Sequence, residues 1–212
     1  MIITYYGKQF FKLSQGDTTI AINPLSKDNN LTLKPTKFGS EVALCSVRHP
    51  NYNGFENTTH SGKEPFKIYG PGSYEVNGNL FVGFGSPSKI DDEDFVNTIY
   101  FFTLEGISFC FLGDLASSDI DQKTKEYIEE VDVVFVPIGG SGTLNPIEAA
   151  KVVKYFSSKI IIPMDYGTDR EDNSLETFLK ETSSAAKPEA KYVFSKNDLE
   201  TLTGHVVVLD QQ

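Results

Sequence analysis

The stretch NTIYFFTLEGISFCFLGDLA (residues 97–116) is two runs of aromatic and branched residues joined at Glu105-Gly106 and closed by Gly-Asp. Such runs are strand material, and a two-residue joint containing glycine reads as a β-hairpin. The second run delivers Asp114 directly after an apolar segment. A carboxylate in that position must be hydrogen-bonded, paired with a cation or bound to a metal, unless it caps a turn or the next helix.

Downstream the pattern changes from hairpins to alternating helix and strand. VDVVFVPIGG (131–140) and KIIIPMDYG (159–167) are continuous apolar runs, the composition of strands buried on both faces. DIDQKTKEYIEEV reads as an amphipathic helix with Asp119 or Asp121 as N-cap, and NPIEAAKVVKYFSS as one capped by Asn145 with Pro146 at its first position. NSLETFLKETSS is a third helix, and AKYVFS and HVVVLD are the last strands. Upstream, IITYY, FFKL and TTIAI predict strands, the last two paired across SQGD. VALCS and FKIYG follow, then a hairpin turning at Asn77-Gly78. Hairpins followed by helix–strand alternation imply an α/β fold of two sheets with helices outside, a single layered domain over residues 1–212.

Four strand exits end in polar or glycine-bearing loops: VALC into SVRHPNYNG, ISFCF into LGDLA, VVFVP into IGGSG, and IIIP into MDYGTD. Sites collect where such loops converge. They carry the candidates His49, Asp114 and Asp165.

Composition narrows the function classes. Hydrophobic residues make up 39% of 212, with 16 Phe and 10 Tyr, enough for a substantial core. The formal net charge is −10, a field that repels phosphate backbones, so nucleic acid is not an expected partner; a small molecule or another protein is. No apolar stretch is long enough to span a bilayer and the N-terminus lacks the pattern of a signal peptide, so no membrane is expected and the cytoplasm is the expected compartment. Cys45 and Cys110 lie in apolar runs and are expected as free buried thiols in neighbouring strands. His60 reads as an exposed loop residue and His205 as the edge of the last strand.

LGDL, VPIGG and IIPM-x-Y occur in an order and spacing that resemble the metallo-β-lactamase-fold superfamily. The branch is the one similar to ascorbate-6-phosphate lactonase and small Zn-dependent hydrolases, and the resemblance runs from ITYYGKQFFKL through TTIAINP and PGSYEVNGNL to KIIIPMDYGT. It implies a four-layer αβ/βα sandwich with a metal site between the loops of the two sheets. In that family a His-x-His-x-Asp-His run, a later histidine, the aspartate of LGD and a histidine in the IPM-x-Y segment hold two zinc or manganese ions, which activate a bridging water.

Against that pattern this chain departs at most ligand positions. Val47, His49, Asn51 and Tyr52 stand at the four positions of the first run, Ile90 at the later histidine, and Asp165 at the last one. Asp114 matches the bridging aspartate, and the early Asp-Pro is Asn23-Pro24. Valine and isoleucine have no lone pair to offer. The resemblance therefore implies a degenerate metal site in a protein that is non-catalytic or acts by binding. No cofactor is expected, and the two carboxylates are held apart from repulsion by a protonated His49 or a shared proton. The alternative is a hydrolase of a small ester, lactone or phosphoester using one divalent ion (Zn, Mn or Fe) on His49, Asp114 and Asp165. Arg48, Asn51, Tyr52 and Tyr166 are the candidate substrate-binding residues. Arg48 and Arg170 are the two arginines, suited to a carboxylate or phosphate, or, as the plainer alternative, to a neighbouring acid such as Glu171. Gly139-Gly140 offers either a close backbone approach with N–H groups for an anion or a tight turn into the Asn145 helix. The branch leaves room for a homo-oligomer.

Overall fold

Side chains of a strand point alternately to its two faces, so each run above must serve two environments. The computed structural model describes residues 1–128, 130–167 and 173–212, arranged as two mixed sheets. In the first, β1 (Ile2–Tyr5), β2 (Phe11–Gln15) and β3 (Thr18–Ile22) are antiparallel, and β4 (Val42–Leu44) and β5 (Phe66–Ile68) continue it in parallel. In the second, β6 (Gly72–Val76), β7 (Asn79–Ile90), β8 (Glu93–Leu104) and β9 (Ile107–Phe111) form an antiparallel meander. β10 (Val133–Pro137) and β11 (Ile160–Met164) extend it parallel to β9. β12 (Tyr192–Val193) pairs with β1 and β13 (His205–Val206) with β11, closing one edge of each sheet.

The three expected hairpins turn where the sequence places them, at Gly16-Asp17 between β2 and β3 and at Asn77-Gly78 and Glu105-Gly106, with Gly16, Asn77, Gly78, Glu105 and Gly106 at positive φ. A further one, between β7 and β8, turns on Asp91-Asp92 at φ 49° and 66°. Sequence reading passed over it because it has no glycine, but aspartate tolerates the left-handed region better than most residues.

Phe109, Phe111, Val133, Phe135, Ile160 and Ile162 face the first sheet, where they meet Phe11, Leu13, Ile22 and Leu44. The alternate residues Cys110, Leu112, Val134, Val136 and Ile161 face the opposite way, against the helices. Each fully buried Phe contributes roughly 2–3 kcal/mol by leaving water. The helices α1 (Gln122–Ile128), α2 (Pro146–Val153) and α3 (Ser174–Glu181) supply Ile128, Ala149, Val152 and Phe178 to that second core. Asn145 caps α2 as expected: its side chain accepts from Ile147 N and Glu148 N, both at 3.0 Å, while Glu148 accepts from Asn145 N. Asp121, the second of the two candidate caps, accepts from Thr124 ahead of α1.

The two-sheet α/β sandwich is thus the one the sequence implies. Among the described residues all three α-helices pack on the second sheet. On the other side, Phe38, from the long loop before β4, stacks on Tyr6 and Phe10, with the Lys12 ammonium 5.0 Å from its ring centre. Cys45 and Cys110 are free and buried, but not in neighbouring strands: Cys110 is in β9 and Cys45 follows β4 in the other sheet. His60 and His205 are exposed. No helix of the described residues is long and apolar enough to cross a membrane.

Parallel pairing brings strand exits together. β3, β4 and β5 run side by side, and Phe11 lies opposite Ile22, so the β1–β2 turn sits beside the exits of β3 and β4. β9, β10 and β11 end together in the second sheet. The cleft between these ends is the candidate site.

Candidate functional site

Asp114 follows β9 and is 2% exposed. Its Oδ1 accepts from Tyr52 Oη at 2.7 Å and Gln9 Nε2 at 3.2 Å, and its Oδ2 accepts from Ser88 Oγ at 2.5 Å. The backbone N–H of Asp114 donates to Asn97 Oδ1 at 2.8 Å. That contact is why glycine precedes it: Gly113 has φ 60°, and a Cβ there would lie 2.3 Å from Asn97 Oδ1. Burial pushes the Asp114 carboxyl above its ordinary pKa. The Ser88 hydrogen bond, the charge of Lys8 and the Tyr52 hydrogen bond pull it back, while Asp165 adds to the rise. Gln9 is itself held, since its Oε1 accepts from Asn23 Nδ2 at 3.1 Å, and Asn23 also bonds Ser46 through Nδ2 and Oδ1. A connected polar network of Asn23, Gln9, Ser46, Tyr52, Ser88 and Asn97 therefore surrounds one carboxylate.

Asp165 follows β11 and is partnered by Lys8, in the turn between β1 and β2. The ammonium lies 2.8 Å from Oδ1 and 2.9 Å from Oδ2, with side-chain exposures of 12% and 4%. The backbones meet as well: Asp165 N donates to Lys8 O at 2.6 Å, and Tyr5 Oη donates to the same carbonyl at 2.8 Å. Both residues have positive φ, 52° for Lys8 and 64° for Asp165. Gly139 lies against this pair, where a Cβ would come within 2.4 Å of Asp165 O. The glycine serves close approach, and Gly140 serves the turn, its N–H donating to Leu144 O at 3.0 Å.

The other candidates divide. Asn51 and Tyr52 line the Asp114 cleft, a space of about 210 Å³. Asn51 Oδ1 accepts from Asn30 N at 3.2 Å. His49 is not between the carboxylates: its Nδ1 accepts from Asn51 N at 3.3 Å and its ring stands edge-on to Phe95, 5.6 Å between centres. Partial burial holds its pKa below the ordinary value, against the pull of Asp91, Asp114 and Glu93. So where a protonated His49 was expected between the carboxylates, the cationic side chain at Asp165 is Lys8. Tyr166 turns away, its hydroxyl donating to Leu209 O at 2.7 Å. Ile90 packs with Cys45, Val47 and Tyr52, and the residue of its strand that reaches Asp114 is Ser88, two positions earlier. Arg48 lines a different cavity altogether. Arg170 and its possible partner Glu171 lie outside the described residues.

The beta-lactamase superfamily domain matches residues 2–165. This chain belongs to the metallo-β-lactamase superfamily. A UPF0173 metal-dependent hydrolase of Listeria innocua is 26% identical over 197 residues, a match covering 79% of this chain and 86% of the relative. A candidate Zn-dependent hydrolase of the superfamily from Thermotoga maritima superposes with a TM-score of 0.75 and 27% identity, over 98% of this chain and 97% of that one. A metallo hydrolase from Ignicoccus hospitalis shares the fold at TM-score 0.67 and 19% identity, over 99% and 95% of the two chains.

In this cleft the side-chain atoms that would have to ligate an ion have protein partners. Metal ligation needs open lone pairs converging on a point. Here the Asp114 oxygens accept from Gln9, Tyr52 and Ser88, both Asp165 oxygens lie against the Lys8 ammonium, and His49 Nδ1 accepts from Asn51 N. Among the described residues no group of three or more His, Cys, Asp or Glu is placed to hold an ion. Sequence reading missed Lys8, Gln9, Ser88 and Asn97. Their signal is indirect: a buried aspartate where the family has a histidine needs a partner from elsewhere in the chain.

Proposed function

We propose that this chain is a metallo-β-lactamase-fold protein whose metal cleft has become an internally neutralised structural element, so that it acts by binding and not by metal-dependent hydrolysis. One observation carries this reading: the Lys8 ammonium, chelated by both oxygens of Asp165, supplies beside the cleft the positive charge that an ion would supply. The Asp114 cage supports it, because a carboxylate fully engaged by neutral donors has a reason to be there without metal. A small molecule or another protein would be the partner, and self-association is compatible with the reading.

The second reading is a single-ion hydrolase of a small ester, lactone or phosphoester, favoured by the names of the relatives, which are called metal-dependent hydrolases. For this chain to work so, Lys8 must leave Asp165 and Tyr52 must leave Asp114. Elemental analysis of protein purified without chelator, followed by titration with zinc, manganese and iron(II), separates the two. The expected result is no stoichiometric metal and no rise in melting temperature on addition. One-to-one binding that Asp114→Ala abolishes would overturn the proposal and establish the single-ion site.

A further inference from the structure

A cavity of about 500 Å³ opens elsewhere along the His49 loop and shares no lining residue with the Asp114 cleft. Its walls belong to three segments that the fold holds in place. Cys45 and Ser46 follow β4, Gly70 and Pro71 follow β5, and Phe95 and Val96 come from β8. Tyr100, fully buried, ties the first two walls together, since its hydroxyl donates to Cys45 O at 2.9 Å and accepts from Gly70 N at 2.9 Å. Thr98 N donates to Ser46 O at 2.8 Å and ties the third to the first. Glycines in β7 let the Gly70-Pro71 segment lie directly on the sheet: a Cβ at Gly83 would be 3.0 Å from Gly70 O, and one at Gly85 3.2 Å from Pro71 Cγ. A cavity braced in this way keeps its shape without a ligand, which lowers the entropic cost of binding one.

Arg48 stands at the wall of this cavity with its orientation already set. Its guanidinium carbon is 4.8 Å from the centre of the Tyr69 ring, and Nε and Nη2 donate to Tyr69 O at 3.3 and 3.2 Å. Among the described residues Nη1 of this exposed side chain has no hydrogen-bond partner and the side chain forms no ion pair with an acid. Apart from Asp94, the remaining lining is apolar or neutral. Cys45 belongs to it as a thiol, with its pKa pushed up to about 12 by burial and its Sγ donating to Val47 O. Asp94, also lining the cavity, is exposed.

We propose that this cavity is a binding site for a small organic acid, an apolar body of about the size of a phenyl or short alkyl group carrying one carboxylate, with Arg48 Nη1 as the anion anchor. A planar guanidinium fixed against an aromatic ring is suited to a carboxylate, and the apolar walls favour a hydrophobic body over an inorganic anion. The site deepens the binding role proposed above, and it shares no residue with the Lys8–Asp165 pair, so either statement can fail alone.

Chelator-treated full chain titrated by calorimetry and ligand-observed NMR with 3-phenylpropanoate, its neutral amide and inorganic phosphate tests the site. The acid is expected to bind saturably and about tenfold or more tighter than the amide, the worth of one charge-assisted contact. Arg48→Ala should remove about that tenfold, Arg48→Lys less of it, and Val96→Glu, which puts a like charge and bulk at an exposed rim position, should abolish binding. Asp94→Asn should tighten it. Far-UV circular dichroism on each variant excludes unfolding as the cause. Non-saturable acid, equal affinity for acid and amide, tighter binding of phosphate, or affinity unchanged in both Arg48→Ala and Val96→Glu would overturn the proposal, whatever the metal content proves to be.

Discussion

Replacing Lys8 by methionine removes the ammonium while keeping an unbranched side chain of similar length, at a backbone φ of 52° that is equally unfavourable for both residues. What remains is a carboxylate at Asp165, 4% exposed, with both oxygens deprived of their cation. Breaking one side of a buried ion pair costs about 3–5 kcal/mol, and with Lys8 itself 12% exposed the lower end applies, about 3 kcal/mol. For a chain of this length each kcal/mol lowers the melting midpoint by roughly 2–4 °C, so the expected loss is roughly 6–12 °C. The sequence has no tryptophan, so urea and thermal unfolding are best followed by circular dichroism in the far ultraviolet. The double variant Lys8→Met/Asp165→Asn should recover most of the loss, because removing both charges leaves nothing stranded. A cost below about 1 kcal/mol for Lys8→Met, or a double variant no better than the single one, would refute the view that Lys8 is the cation of this cleft. Zinc or manganese that restores Lys8→Met to wild-type stability, without stabilising the wild type, would show directly that lysine and metal compete for one place.

Two further outcomes follow from the same network. Tyr52→Phe deletes the 2.7 Å hydrogen bond to Asp114 Oδ1 while leaving Gln9 and Ser88, and should cost about 1.5–3 kcal/mol in urea unfolding, the range for a bond to a charged group; no loss would mean that Asp114 does not depend on the tyrosine. His49 has a pKa lowered chiefly by desolvation, so the folded protein binds its proton less readily than the unfolded chain. The stability this contributes is fully present above the unfolded value of about 6.5 and is lost as pH falls through the lower, folded value. The melting midpoint of the wild type should therefore fall below about pH 6.5 by an increment that His49→Phe lacks, and equal slopes in the two proteins would rule His49 out as its source.

Local physics was legible in the amino-acid sequence wherever a feature depends on neighbours along the chain. The apolar runs in residues 97–111, 131–137 and 159–164 are one such feature. Others are the Asn77-Gly78 and Glu105-Gly106 turns and the Asn145-Pro146 cap. Together they set out two sheets, the helices and the strand exits. Placing Asp114, Asp165, Asn51 and Tyr52 in one cleft came from the resemblance of their order to a known pattern. What failed was the identity of the charge partner. His49 was named because it lies in a strand-exit loop at a histidine position of the family's run, yet its ring packs edge-on against Phe95.

The sequence by itself determined that two aspartates would end buried strands, and its resemblance to a family implied that few of that family's metal-holding side chains surround them. It could not say what neutralises them. Lys8 lies 157 positions from Asp165, and Gln9 lies 105 from Asp114. Neither has a periodicity or a spacing that marks it, since a lysine in a tight turn is ordinarily a solvated surface residue. Only the tertiary structure, by bringing the β1–β2 turn against the exits of β9 and β11, turned that lysine into the cation of the cleft. Burial then made the pairing obligatory, because a carboxylate taken out of water must have a partner.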